Sequence, residues 1–569
     1  MSFCKECGQA LGPDVAFCRN CGAKASPLGT VKDAPSDSSA SSASSNLVEE
    51  SEWELFFCAQ TASSEKSSFV SKIRSTRNHC IVLTDRKALR ESLGSSYPAF
   101  ESALRMHCLE QGLKGWRYHF LDCSSNRFGP VSGLKWEAYV ELLVQAVDSM
   151  EREIRVKPEA VFIVGDESIV PMAVFDLPAG SHDYDVDSDI PYSSLCTEDP
   201  FVDEGGLACK LAVGRLPVGS CAGAQVGINY FRSFSQHDSH AGGSNGFGLT
   251  AEVWEGASSE VARNVGQIAL NTSPDLSLLD SPDRFDSLAR YLYFNVHGSD
   301  MDKHWQGDDG LGNSPLAVSP DTLLMPSHPN ALATEACYGA RFSGFSKEES
   351  VLLSALGHKT LAFSGSSRIA YGPANPPVGD ADLVAMEFLS SLKAGENSGD
   401  SFVAARQSVL VDDYLTPLDV LSAVEFNLFG DPTLVFPSHP VTKSAAGTSS
   451  SGLDVGKSSR PLRDPLLSVK SSLTRSSGSL RMRMPDVLGD VKASLDATWA
   501  GIRDRLASQV YEANPALRGV EPTVTKLRIG IGRTESLQLA FAKKEGSVFL
   551  DRVLYADRTG KVKKELVAK

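Results

Sequence analysis

Two segments of the chain end an apolar run in a reactive side chain. Tyr291-Leu292-Tyr293-Phe294-Asn295-Val296-His297-Gly298 is followed, 40 residues later, by Leu332-Ala333-Thr334-Glu335-Ala336-Cys337-Tyr338-Gly339. Each run reads as a buried strand, and in each a Gly follows the reactive residue within two positions. That pattern places His297 and Cys337 at the carboxyl ends of neighbouring strands, where open parallel sheets bind their ligands. A thiol becomes a good nucleophile when a base or cation draws off its proton, and a histidine supplies one. Gly298 has no side chain to keep its N–H from a carbonyl oxygen, and the N–H of Cys337 would be the second donor of an oxyanion hole. Taken singly, a cysteine after a strand is an ordinary small buried residue and His-Gly an ordinary turn. The pair is what points to chemistry.

A second constellation lies at the start. Cys4, Cys7, Cys18 and Cys21 form two C-x2-C turns, each followed by Gly (Gly8, Gly22). Such turns aim paired thiolates at one centre, so the expected ligand is a structural zinc ion held by all four. A disulfide or redox pair is the competing reading, and it suits a reducing compartment less well. Four cysteine ligands leave no open position for a water, which argues against metal catalysis there. The segment resembles the short zinc ribbons that open many bacterial multidomain proteins. The other eight cysteines show no pairing pattern.

The elements that must position these groups can be read along the 569 residues. Residues 1–24 form the cysteine module and 25–52 a Ser-rich linker with too little apolar surface to order itself. From 53 to 437, apolar strand-like runs alternate with helical patterns, which predicts an α/β domain with a mostly parallel sheet covered by helices on both faces. Strands are expected at 80–84, 116–121, 160–166, 210–215, 249–254, 291–296, 331–336 and 360–364. Residues 438–484 form a second linker, rich in Ser and bearing scattered arginines. Residues 485–515 read as helical, and four alternating runs beyond them read as a small antiparallel sheet, a C-terminal α+β domain over 485–569.

The formal net charge is -15, which argues against a general nucleic-acid binder, but the charge is uneven. Residues 441–569 carry 23 Lys and Arg against 13 Asp and Glu, leaving 32 against 57 for the rest. An acidic body thus carries a basic tail, and the tail is expected to dock on the body. The sequence contains no run long and apolar enough for a membrane span and begins without a secretory signal, so the expected location is cytoplasmic.

The His-Gly and Ala-Cys-x-Gly segments resemble the signatures of caspase-fold cysteine peptidases. More of the chain resembles the gingipain-type branch: Val161-Phe162-Ile163-Val164-Gly165-Asp166 with Ile169-Val170-Pro171, Ser188-Asp189-Ile190-Pro191-Tyr192 with Val213-Gly214-Arg215, and Asn427-Leu428-Phe429-Gly430-Asp431-Pro432-Thr433-Leu434. The resemblance spans roughly 75–437. It implies that Cys337 is the nucleophile and His297 the base or general acid, with Gly298 and the Cys337 amide polarising the scissile carbonyl. It also implies a carboxylate that orients the histidine, with Glu255 the nearest match and Glu252 its competitor. Glu260 is a candidate for the acidic specificity residue, although the position is not transferred.

The loop after the histidine holds Asp300, Asp302, Asp308 and Asp309, which either favours substrates with Arg or Lys at the scissile bond or is simply solvated. Asp183, Asp185, Asp187 and Asp189 alternate in a way that suits calcium, yet the rest of a calcium motif is lacking and an acidic turn is the plainer reading. The expected function is therefore a cysteine endopeptidase acting on a protein or peptide through an acyl-enzyme. The alternatives are a catalytically silent scaffold that binds partners through ribbon and tail, and a hydrolase or acyltransferase that uses the same dyad on a non-peptide carbonyl.

Overall fold

The computed structural model describes residues 78–436 and 485–569, apart from 178–182, 184, 237–244, 412–413, 491–494 and 530–532, together with Ser2–Phe3 and Ala10–Leu11. The four cysteines of the N-terminal module and both Ser-rich linkers lie outside the described residues. Met1–Glu52 is a unit of its own, in which Ser2–Phe3 pairs antiparallel with Ala10–Leu11. All that follows concerns the unit Trp53–Lys569.

Ten strands form its main sheet: β1 (Asn78–Thr84), β2 (Trp116–Asp122), β3 (Ala160–Val164), β4 (Ala212–Leu216), β5 (Gly246–Ala251), β6 (Ile268–Ser273), β7 (Tyr291–Asn295), β8 (Asn330–Thr334), β9 (Thr360–Ser366) and β10 (Phe426–Gly430). Their spatial order is β6-β5-β7-β8-β9-β10-β4-β3-β1-β2. Every neighbouring pair is parallel except β9 with β10. Two parallel halves thus run in opposite directions and meet at one antiparallel junction. The central strands are buried along their whole length, as the continuous apolar run of β3 requires.

Two sets of mutually packed helices lie against this sheet. One comprises Tyr97–Leu113, Ala224–Gln236 and Val351–Leu356, the other Glu255–Val265, Asp380–Ala394, Ser398–Ser408 and Pro417–Glu425. The expected mostly parallel α/β architecture is present. The edge strand β6 went unread because its side chains are mostly half-buried and its apolar signal is weak.

Three of the sequence segments noted above meet in one buried group. Arg215, on β4, has no exposed surface. Its guanidinium makes two parallel bonds to Asp189, at 2.8 and 2.6 Å, and donates to the carbonyls of Gly165 at 2.9 Å and Val170 at 2.7 Å. The planar fork suits a carboxylate and satisfies three chain segments at once. In a fourth of these segments, Asp431 bonds His107 at 2.5 Å and the Tyr118 hydroxyl at 2.7 Å.

The C-terminal residues build an antiparallel sheet in the order Tyr371–Gly372, Val562–Ala568, Arg552–Asp557, Thr534–Phe541, Thr523–Ile529, Asp486–Asp490. Its first strand belongs to the main domain, so the two parts share a sheet. The helix Ala497–Ala513 packs on it, burying Trp499, Ile502, Leu506 and Val510 against Leu537, Leu539 and Leu554. This corrects the helical reading of 485–515: the stretch opens as the strand Asp486–Asp490. The helix starts at Ala497, where the Asp496 carboxylate caps the N–H groups of Thr498 and Trp499, each at 3.0 Å.

Removing the guanidinium would leave Asp189 charged and buried with no counter-ion. Arg215→Met is expected to lower unfolding free energy by about 3–5 kcal/mol in urea titration. A loss below about 1 kcal/mol would show that the pair does not hold the segments together.

Candidate active site

β7 and β8 pair in parallel, with Tyr291 opposite Ala331 and Phe294 opposite Thr334. The offset in that ladder is the same 40 residues that separate His297 from Cys337. The Glu335 N–H continues the pairing onto the Phe294 carbonyl at 2.9 Å. Extended by two or three residues, the register brings His297 and Cys337 side by side at the carboxyl edge. Gly298 lies against Cys337, and a Cβ placed on it would fall 1.8 Å from the Cys337 carbonyl oxygen and 2.9 Å from its nitrogen. Only glycine fits there. The residue after the cysteine, Tyr338, adopts a left-handed φ of 54°, turning the chain sharply at Cys337.

His297 is buried and held on three sides. Its N–H and C=O exchange 2.8 Å bonds with Gln306, and the Trp254 ring meets it edge-on at 4.5 Å. Its Nε2 lies 3.1 Å from Asp308 Oδ2. Burial works against charge on Asp308, but the bonds from His297 and from the Gly310 N–H hold its carboxyl below the usual range. The other ring nitrogen, Nδ1, is buried with no hydrogen-bond partner among the described residues.

The carboxylate on the histidine is therefore Asp308 and not Glu255. Glu255 opens its helix on the exposed side, and among the described residues nothing joins it to His297. Glu252 is likewise exposed, and Glu260 pairs with Arg263 at 3.7 Å. The reason is geometric. The strand before Glu255 brings Trp254 to the imidazole, whereas the hairpin Trp305–Gln306 with Leu316–Val318 folds the acidic loop back over it.

The aspartates considered for calcium are engaged with protein donors. Asp189 holds Arg215, Asp185 and Asp187 lie 2.6 and 2.9 Å from Arg368, and Asp183 accepts from the Tyr338 hydroxyl and the Ile369 N–H. Among the described residues, no group of three or more His, Cys, Asp and Glu is placed to hold a metal ion.

Beside His297 and Cys337 lies an acidic pocket that sequence reasoning missed. Glu335 receives the Tyr293 hydroxyl at 2.7 Å, and Asp382 is 3.5 Å from Asn295 Nδ2. Burial first, and then the Asp382 carboxylate, push the Glu335 carboxyl well above its usual range. Two carboxyls in one dry pocket do not both ionise readily. A lysine fills this pocket: the fully buried Lys569 ammonium is 3.3 Å from Asp382, 3.7 Å from Glu335 and 4.8 Å from the Trp254 ring centre. Glu335 was visible as a lone charge inside an apolar strand end; Asp382 gave no signal.

Cys337 itself has no exposed surface, and its Sγ lies 3.8 Å from the Ala370 carbonyl. Burial pushes its thiol well above the ordinary value, so the neutral form dominates at pH 7 and the thiolate appears only on the alkaline side. In the intact chain, iodoacetamide labelling of Cys337 is expected to keep climbing past about pH 9, where an ordinary thiol levels off. A Cys337 profile that levels off by about pH 9 would contradict the buried, neutral thiol.

Residues 135–437 match the model of Peptidase family C25. Among solved structures, the chain is similar to the Arg-specific cysteine proteinase gingipain R, at 13% identity and TM-score 0.46, covering 64% of this chain and 79% of that one. It is similar to the complex of RgpB pro- and mature domains from Porphyromonas gingivalis at 12% identity and TM-score 0.46, covering 63% and 80%. A structure described only as a protease is similar at 11% identity and TM-score 0.44, covering 86% and 91%. No curated protein matches the chain. The silent-scaffold reading of the sequence gives way to an enzyme: the chain belongs to Peptidase family C25 and is a cysteine peptidase, a hydrolase of proteins or peptides.

Proposed function

We propose that the enzyme is an endopeptidase in which Cys337 and His297 form the catalytic dyad and Asp308 orients the histidine. The observation that carries this reading is the register of β7 and β8, which sets His297 beside Cys337 with Gly298 packed on the cysteine backbone. With Asp308 accepting the Nε2–H, Nδ1 is free to take the thiol proton. The thiolate sulfur attacks the scissile carbonyl carbon, and the oxyanion that forms accepts hydrogen bonds from the Gly298 and Cys337 N–H groups. Collapse breaks the C–N bond, and the imidazolium returns its proton to the leaving amine. Water, deprotonated by His297, then hydrolyses the thioester and frees the thiol.

The residue before the scissile bond is basic in this reading. Its support is the pocket of Glu335, Asp382 and the Trp254 face, an anionic and aromatic lining suited to a buried cation. The acidic loop after the histidine contributes differently from the sequence reading. Asp308 serves the imidazole, and Asp300 pairs with Lys544 at 2.5 Å.

For the N-terminal module the reading remains a zinc ribbon with Cys4, Cys7, Cys18 and Cys21 as ligands, available to a protein partner. Elemental analysis is expected to give one zinc per chain, lost in Cys7→Ser.

Cleavage of a peptide library, read by mass spectrometry, tests the dyad. Cys337→Ala is expected to abolish cleavage. Asp308→Asn is expected to keep the cleavage sites but lower kcat/KM on the order of 10²- to 10³-fold by releasing the imidazole. Cleavage that survives Cys337→Ala would remove the proposal.

A further inference from the structure

The chain's own C-terminal strand lies where a substrate would lie. Val562–Ala568 adds antiparallel to Tyr371–Gly372, with Tyr371 opposite Ala568 and Gly372 opposite Val567. The next residue, Lys569, donates its backbone N–H to the Ala370 carbonyl at 2.9 Å, the same carbonyl that faces Cys337 Sγ. Its own carbonyl oxygen accepts the Cys337 N–H at 3.1 Å. That N–H is one of the two donors assigned above to the oxyanion hole, so the Lys569 carbonyl occupies the position of the carbonyl to be attacked.

The Lys569 side chain completes the match. Its ammonium donates to the Pro373 carbonyl at 3.1 Å and to Asp382 at 3.3 Å, and the Glu335 carboxyl lies 3.7 Å away, at ion-pair distance. The Trp254 face covers the remaining side. Gly372 forms a wall, and a Cβ there would lie 2.7 Å from Lys569 Cε, so a side chain at 372 would close the pocket. An ammonium without exposed surface is tolerated where it is paired and hydrogen-bonded, as this one is by Asp382 and the Pro373 carbonyl.

Several contacts hold the occupant in place. Lys564, five residues back on the strand, lies 2.8 Å from Asp380 and 2.5 Å from Asp419. The Tyr371 hydroxyl donates to Asp551 at 3.0 Å, Gln306 Nε2 donates to the Ser547 hydroxyl at 2.6 Å, and Phe549 stacks on Tyr338 at 5.9 Å. All three partners sit beside the dyad. The basic tail meets the acidic body at this cleft.

We propose that the strand Val562–Lys569 is a resident, substrate-like occupant of the substrate cleft. The peptidase is then latent until the strand leaves, and the substrates it admits present a lysine before the scissile bond along an added antiparallel strand. This rests on the dyad reading above, and the test separates the two. The full chain is compared with Lys569→Ala and with deletion of Ala568 and Lys569, reading both the iodoacetamide labelling rate of Cys337 by mass mapping and the cleavage of lysyl peptides.

Deletion is expected to raise Cys337 labelling at least about tenfold, because an opening equilibrium no longer limits access. Lys569→Ala, which keeps the strand pairing, is expected to move it in the same direction by less. The free peptide Glu-Leu-Val-Ala-Lys, added in trans to the deletion variant, is expected to restore protection, whereas Glu-Leu-Val-Ala-Glu is not. Labelling equal in all three proteins, or equal protection by the two peptides, would overturn the proposal. Lysyl-peptide cleavage as fast in the full chain as in the deletion variant would overturn latency while leaving the dyad standing. Raised labelling and peptide protection without cleavage would uphold the occupant and remove the endopeptidase reading.

Discussion

The parallel pairing of β7 with β8 is the constraint on which the site depends. A slip of one residue in a strand turns each side chain to the opposite face, so the 40-residue offset fixes more than two strands. It sets His297 against Cys337 and presses Gly298 onto the cysteine backbone. It also carries Glu335 into the pocket through the Phe294 carbonyl. The register is in turn enforced by burial: both strands are covered along their whole length, so an alternative pairing would bury the wrong residues.

Around that pair, the remainder of the fold serves as a frame. The Arg215 guanidinium gathers Gly165, Val170 and Asp189 into one rigid corner of the other half-sheet. The Asp189 N–H also donates to Asn427 Oδ1 of β10, at the antiparallel junction. The catalytic edge is thereby braced by segments distant from it in sequence. The same buried character that gives rigidity also keeps the Cys337 thiol neutral in this state.

Much of this was legible in the sequence. The apolar runs marked most strands of the main sheet, and His297 and Cys337 stood out because each interrupts the end of such a run. What escaped notice depends on contacts between segments far apart in the chain. Asp308 was one acid of several in a loop, and only the fold of the hairpin after His297 selects it over Glu255. Asp382 gave no sign because its partner Lys569 lies 187 residues away. The strand Asp486–Asp490 was read as helix because its pairing partner comes after the helix, and local pattern carries no information about that return.

The central claim is that one cysteine, paired with one histidine, attacks a carbonyl presented beside an acidic pocket. It is tested most directly by a peptidyl acyloxymethyl ketone ending in lysine, offered to the chain lacking Ala568 and Lys569, with the adduct mapped by mass spectrometry. The account predicts a single adduct, on Cys337, that is lost in His297→Ala. An adduct on another cysteine, or one on Cys337 that forms equally well without the histidine, would contradict it.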